Sequence, residues 1–101
     1  MRRIMVRYRV KPEAVAENER LVRDVYAELA EQAPDGFRYA TFKLADGVSF
    51  MHVALQEGPD SPLAGIEAFG RFQEGIRDRC DDPPVVEELE LVGSYLLAEA
   101  V

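Results

Sequence analysis

Residues 37–56, FRYATFKLADGVSFMHVALQ, decide the fold. Two arms of strand length flank Asp46-Gly47, and Asp-Gly is a strong hairpin signal because a type I′ turn needs φ > 0 at both central residues. With a two-residue loop, Ala45 lies opposite Val48, Leu44 opposite Ser49, Phe42 opposite Met51 and Ala40 opposite Val53. This register sorts the arms into two faces, and a slip by one residue would mix them. One face carries Ala40, Phe42, Leu44, Met51, Val53 and Leu55, and is expected against the helices. The other carries Phe37, Tyr39, Thr41, Phe50, His52 and Ala54, and is expected to meet a partner.

Outward from the hairpin, each side has a helix and then a strand. On the N-terminal side, Ala14, Val15, Leu21, Val22, Val25 and Leu29 recur at three- and four-residue spacing, an amphipathic helix of about five turns. Pro12 opens it, where a missing N–H is harmless, and Ala33-Pro34-Asp35-Gly36 closes it. Before it, Ile4, Val6, Tyr8 and Val10 alternate with Met5, Arg7 and Arg9, a strand with one apolar face. On the C-terminal side, Ser61-Pro62 starts a second helix through Leu63, Ile66, Phe69, Phe72, Ile76 and Cys80. Gly65, Gly70 and Gly75 predict either a broken start near Gly65 or a close backbone approach at Gly70 and Gly75. Asp81-Asp82-Pro83-Pro84 is read as its end. Residues 85–100 are read as the fourth strand, with Leu89, Leu91, Tyr95 and Leu97 on one parity and Glu88 and Glu90 on the other.

The order strand, helix, strand, strand, helix, strand is the split βαβ pattern of a ferredoxin-like α+β sandwich with a four-stranded antiparallel sheet, one domain over residues 1–101. Right-handed crossovers make the first and third strands neighbours. Two helices cover one face of such a sheet, so the other face predicts a homodimer formed sheet to sheet.

Composition narrows the function classes. The net charge of −7 opposes a nucleic-acid partner and an anionic membrane surface. No run is long enough to span a bilayer, and the arginines at 2, 3, 7 and 9 interrupt any signal-peptide core, so a cytoplasmic protein is expected. Cys80 is the only cysteine, which rules out an internal disulfide.

The strand VRYRVKP (residues 6–12), the hairpin PDGFRYATFKLADGVSFMHVA (34–54), the helix segments around Pro62-Leu63 and AFGRFQ (68–73), and VGSY (92–95) together resemble the antibiotic biosynthesis monooxygenase family of dimeric α/β-barrel proteins. The resemblance covers nearly the whole chain and rests on pattern. It implies a homodimer with a pocket between sheet and helices in each subunit. Some members of that family oxygenate polyketide-like substrates without metal or flavin, some degrade haem, and many have no known activity. The tryptophan used by quinone-forming and haem-degrading members has no counterpart, since the chain contains none, and no catalytic residue is carried over.

Four residues are candidates for chemistry on their own account. His52, the only histidine, stands opposite Thr41 and reads as a proton shuttle or haem ligand, or as a buried or interfacial residue bonded to Thr41. Asn18 interrupts an apolar helix stripe and must line a pocket or reach a strand backbone. Tyr8 and Tyr39 sit on strands, able to donate to a bound carbonyl and equally at home in an interface. Cys80 is placed at a helix end, where the dipole does not favour a thiolate. No ligand spacing suggests a metal, no cofactor is expected, and no phosphate loop or Ser-His-Asp spacing is present. Two functions follow: a cofactor-independent monooxygenase for a small aromatic or polyketide-like substrate, or a non-catalytic homodimeric binding or structural module.

Overall fold

The structure, a computed structural model, describes residues 1–95. Strand β1 (Arg2–Val10) leads through a 3-10 turn at Pro12–Ala14 into helix α1 (Val15–Gln32). The hairpin follows as β2 (Phe37–Lys43) and β3 (Ser49–Gln56). A 3-10 turn at Pro62–Gly65 precedes helix α2 (Glu67–Gln73), the single-turn helix α3 (Ile76–Arg79) and strand β4 (Cys80–Glu88). The strands form one antiparallel sheet in the order β2-β3-β1-β4, as the split pattern predicts.

The hairpin register is the expected one, with Ala40 opposite Val53, Thr41 opposite His52 and Phe42 opposite Met51. Its turn is built differently. Gly47 alone in the turn has positive φ, and its N–H donates to the Leu44 carbonyl at 3.0 Å while Leu44 and Ser49 remain bonded at 2.8 Å. Asp46 supplies the rest, its Oδ1 accepting the N–H groups of Val48 and Ser49 at 3.0 and 2.8 Å. A carboxylate-braced turn thus closes the arms in the register a type I′ turn would have set.

The assignment of the two faces is reversed. Tyr8, Val10, Phe50 and His52 are buried beneath the helices, packed with Val22 and Val25 of α1 and Ala68 and Phe72 of α2. The pairs Val6–His52 and Tyr8–Phe50 put the apolar face of β1 and the aromatic face of the hairpin on the same side. The aliphatic set is on the open side, where Phe42 is 52% exposed. The physical reason is that burial excludes unpaired polar groups rather than polar groups as such, and the hydroxyls and imidazole on this face bond to one another. An aromatic partner face formed by Phe37, Tyr39 and Phe50 is therefore overturned, and His52 lies under the helices.

The C-terminal half is also more broken than periodicity suggests. Ser61 Oγ accepts from Leu63 N–H at 3.2 Å at the predicted start, but the chain turns extended at Ile66 and again at Glu74, and Gly75 takes φ of 75°. A Cβ on Gly70 would meet nothing within 4 Å, so no close approach explains that glycine. Strand β4 begins at Cys80, not after the prolines, and Cys80 opens a strand instead of ending a helix. Pro83 and Pro84 are accommodated because β4 is an edge strand whose pairing with β1 shifts register between Asp82 and Val85. Leu89, Leu91 and Tyr95 lie beyond β4 and are exposed, and Leu97 falls outside the described residues.

Glu28 of α1 holds α2 in place. Its carboxylate accepts the N–H groups of Glu67 and Ala68 at 3.0 and 2.9 Å, the first residues of α2. Those bonds, Ala68 first, hold its pKa below the ordinary carboxylate value. A helix of seven residues cannot sustain itself, so this cap from a neighbouring helix matters to its position. Among the described residues no helix is long and apolar enough to cross a membrane.

Candidate functional site

The buried face of the sheet carries a chain of hydrogen-bonded side chains that joins all four sequence candidates. The alternation of β1 turns Tyr8 toward the helices, and the hairpin register sends Tyr39, Thr41 and His52 the same way. Tyr8 Oη lies 2.7 Å from His52 Nε2, and Tyr39 Oη 2.6 Å from Nδ1, with Thr41 Oγ1 at 3.1 Å from the same nitrogen. Asn18, fully buried on α1, donates from Nδ2 to Tyr8 Oη at 2.9 Å. Thr41 Oγ1 in turn lies 2.8 Å from Tyr26 Oη. The polar residue on the apolar helix stripe therefore reaches a strand side chain, neither lining the cavity nor bonding a strand backbone.

The far end of the chain is Arg79, which sequence reasoning missed. Its Nε donates to Asn18 Oδ1 at 3.3 Å, and its terminal nitrogens donate to the carbonyls of Phe72 and Glu74 at 2.6 and 3.0 Å. A cation thus closes the carbonyl end of α2 while its guanidinium packs over the Phe72 ring, 5.3 Å from the centroid. The break at Gly75 precedes α3, on which Arg79 is buried.

Between α2 and the sheet lies a cavity of about 240 Å³, lined by Tyr8, Tyr39 and His52 on the sheet side and by Phe69, Phe72 and Ile76 on the helix side. That is smaller than a typical drug-sized pocket of roughly 300–1,000 Å³, which limits an occupant to one or two rings. The rings of Tyr8, Tyr39 and Phe72 surround the imidazole at 5.3 to 5.7 Å between centroids. Burial among them lowers the His52 pKa to about 4, so the ring is neutral at pH 7. Burial likewise raises the Tyr8 and Tyr39 pKa values, which keeps both hydroxyls protonated. The cavity is thus floored by neutral hydrogen-bonding groups in an apolar shell, a setting in which a donor stabilises developing negative charge on an oxygen strongly.

Cys80 is buried at the start of β4, with its thiol pKa raised chiefly by burial. Among the described residues no group of three or more His, Cys, Asp or Glu side chains comes together to hold a metal. Glu87 and Glu88 are exposed on the edge strand, Glu88 paired with Arg2 at 2.9 Å.

No protein-family model matches the sequence, and no curated protein does. The fold does match solved structures. A crystal structure of an antibiotic biosynthesis monooxygenase superimposes with a TM-score of 0.68 at 22% identity, over 92% of this chain and all of that one. SnoaB, a cofactor-independent oxygenase from Streptomyces nogalater, gives 0.68 at 18% identity over 94% of this chain and 96% of its own. A protein of unknown function from Nitrosomonas europaea gives 0.70 at 17% identity, over 97% of this chain and 95% of its own. The chain has the fold of the antibiotic biosynthesis monooxygenase structures.

Proposed function

We propose that the protein is a cofactor-independent monooxygenase that takes a small aromatic substrate into the cavity between α2 and the sheet. The observation that carries this reading is the placement of the Tyr8 and Tyr39 hydroxyls and a neutral His52 together on the cavity floor. The fold is that of structures which include a cofactor-independent oxygenase. A CH₂ group held between an aromatic ring and a carbonyl loses a proton to form a carbanion, whose negative charge resides largely on the carbonyl oxygen. Dioxygen oxidises it, one oxygen atom remaining as a new carbonyl and the other leaving with two hydrogens as water. In this scheme the protein supplies a dry site and the hydrogen bond that stabilises the enolate oxygen. Tyr39 is the donor, His52 and Tyr8 hold it in place, and Asn18 supports Tyr8.

We place the dimer interface on the open face of the sheet, in a cytoplasmic protein. Phe42 and Val85, 52% and 57% exposed, stand on it with Met51 and Val53 between them. Burying such side chains stabilises an assembly by about 1.5 to 3 kcal/mol each.

Oxygen uptake with 2-tetralone, a two-ring ketone that carries such a CH₂ group, tests the reaction. Tyr39→Phe is expected to lower kcat by ~100-fold with the fold intact. Unchanged turnover in that variant and in His52→Ala and Asn18→Ala removes the assignment. A second reading, a non-catalytic binding module, is favoured by the low His52 pKa of about 4, which makes the imidazole a weak base. Binding of the same ketone without oxygen uptake would select it.

A further inference from the structure

Arg79 does not line the cavity and reaches the proposed site only through Asn18, but it alone in the hydrogen-bonded chain cannot accept. A guanidinium has five N–H donors and no acceptor. The atom of Asn18 that faces Arg79 Nε at 3.3 Å must therefore be Oδ1, and the atom that reaches Tyr8 at 2.9 Å must be the amide nitrogen. Tyr8 then receives a proton from Asn18 and has one of its own to place. Its other partner is His52 Nε2 at 2.7 Å. If Nε2 also carried hydrogen, the Tyr8 hydroxyl would face two donors, and its own proton would be left without an acceptor in a residue that is 3% exposed. So Nε2 accepts. A neutral imidazole has one hydrogen, which must lie on Nδ1, where the oxygens of Tyr39 at 2.6 Å and Thr41 at 3.1 Å receive it. Tyr39 keeps its own proton free to turn toward Thr41 or toward the cavity.

We propose that Arg79 is a positioning residue that sets the direction of the chain Arg79→Asn18→Tyr8→His52→Tyr39, so that the cavity meets its occupant with a hydrogen-bond donor and selects a small neutral molecule bearing an acceptor. The other lining residues do not oppose this polarity. None is an aspartate or glutamate, and the polar ones besides Tyr8, Tyr39 and His52 are Arg2, Gln56, Ser61 and Gln73. The choice of ligand rests on the reading that this cavity is the substrate site. The direction of the chain does not.

The test is the tautomer of His52, which is the only histidine and so gives an unambiguous signal in long-range ¹H–¹⁵N spectra. At pH 7.5 the wild type is expected to show hydrogen on Nδ1 and a bare Nε2. Asn18→Asp puts an acceptor where the amide nitrogen was and keeps a partner for Arg79. Tyr8 then donates to the new carboxylate, Nε2 donates to Tyr8, and the tautomer switches to hydrogen on Nε2. Arg79→Met frees the amide to flip and is expected to give a mixture, which Arg79→Lys restores to the wild-type form. Hydrogen on Nε2 in the wild type, a spectrum that needs no variant to fold, overturns the proposal. So does one and the same tautomer in the wild type and in Asn18→Asp.

The ligand half is read with two probes of equal shape, acetophenone and α-methylstyrene. Acetophenone is expected to bind the wild type about tenfold more tightly, the worth of one hydrogen bond, and to lose that advantage in Asn18→Asp. Equal binding of the two, or none, overturns the ligand half and leaves the direction of the chain standing. Acetophenone binding with no oxygen uptake by the wild type on 2-tetralone defeats the oxygenase reading without moving the spectrum.

Discussion

Tyr8 Oη and His52 Nε2 lie 2.7 Å apart across the β1–β3 pair, where Tyr8 stands opposite Phe50 and His52 opposite Val6. They are diagonal neighbours on adjacent strands, a separation long side chains can bridge. One contact between the two central strands therefore ties the first strand of the chain to the hairpin, and the candidate site is part of the core that holds the fold together.

The first consequence is a pH dependence of stability. His52 has a folded pKa of about 4 against an ordinary 6.5, so between these values the unfolded chain binds the proton and the folded one does not. Stability is full above pH 6.5 and is lost as pH falls through that window, by ~3 kcal/mol in all. Urea unfolding at pH 7 and pH 4 measures it. Carboxylates whose pKa values are lowered, Asp46 and Glu28 among them, add a loss of the same sign as pH falls. The His52 share is the difference between the wild type and His52→Phe, and equal slopes for the two would refute it.

Asn18→Leu keeps the branched shape of the side chain and removes both bonds. Arg79 Nε and Tyr8 Oη each lose a partner in the interior, which is expected to lower stability by ~2–4 kcal/mol. Chemical denaturation at pH 7 decides the matter: a loss below about 0.5 kcal/mol means that the chain of hydrogen bonds contributes nothing net to the fold.

Glu28→Ala removes the cap on α2. Faster amide exchange is expected at Glu67 and Ala68, with a lower Tm and a cavity less well closed by Phe69 and Phe72. Exchange rates at those two amides that match the wild type would show that α2 is held by packing alone.

The proposed dimer is checked by sedimentation equilibrium at micromolar concentration. The wild type is expected as a dimer and Phe42→Arg as a monomer with an unchanged far-UV CD spectrum, because Phe42 lies on the open face away from the core. A wild-type monomer at that concentration removes the sheet-to-sheet assembly.

Much of the site could be named before it could be located. Asn18 is conspicuous as a polar residue on an apolar stripe, and His52 as the only histidine, opposite Thr41. Arg79 gives no such signal, because an arginine near a helix end reads as solvated, and only the fold buries it on α3. The early start of β4 is hidden for a related reason. Two consecutive prolines read as a terminator, and only an edge position with a shift in pairing makes them compatible with a strand.

The sequence by itself determined the order of the elements and the hairpin register, since both depend on local chemistry: alternation, helical spacing, and a turn closed within a few residues of Asp46-Gly47. Only the tertiary structure decided which face of the hairpin goes inside. That choice is made by the pairing of β3 with β1, distant in the chain, which matches His52 to Val6 and so brings the aromatic face and the apolar face of β1 together under the helices. Hydrophobicity alone favours burying the aliphatic face. The aromatic face goes inside because its hydroxyls, its imidazole, Asn18 and Arg79 satisfy one another there, a condition that no residue type reveals until all of them are brought within hydrogen-bond distance.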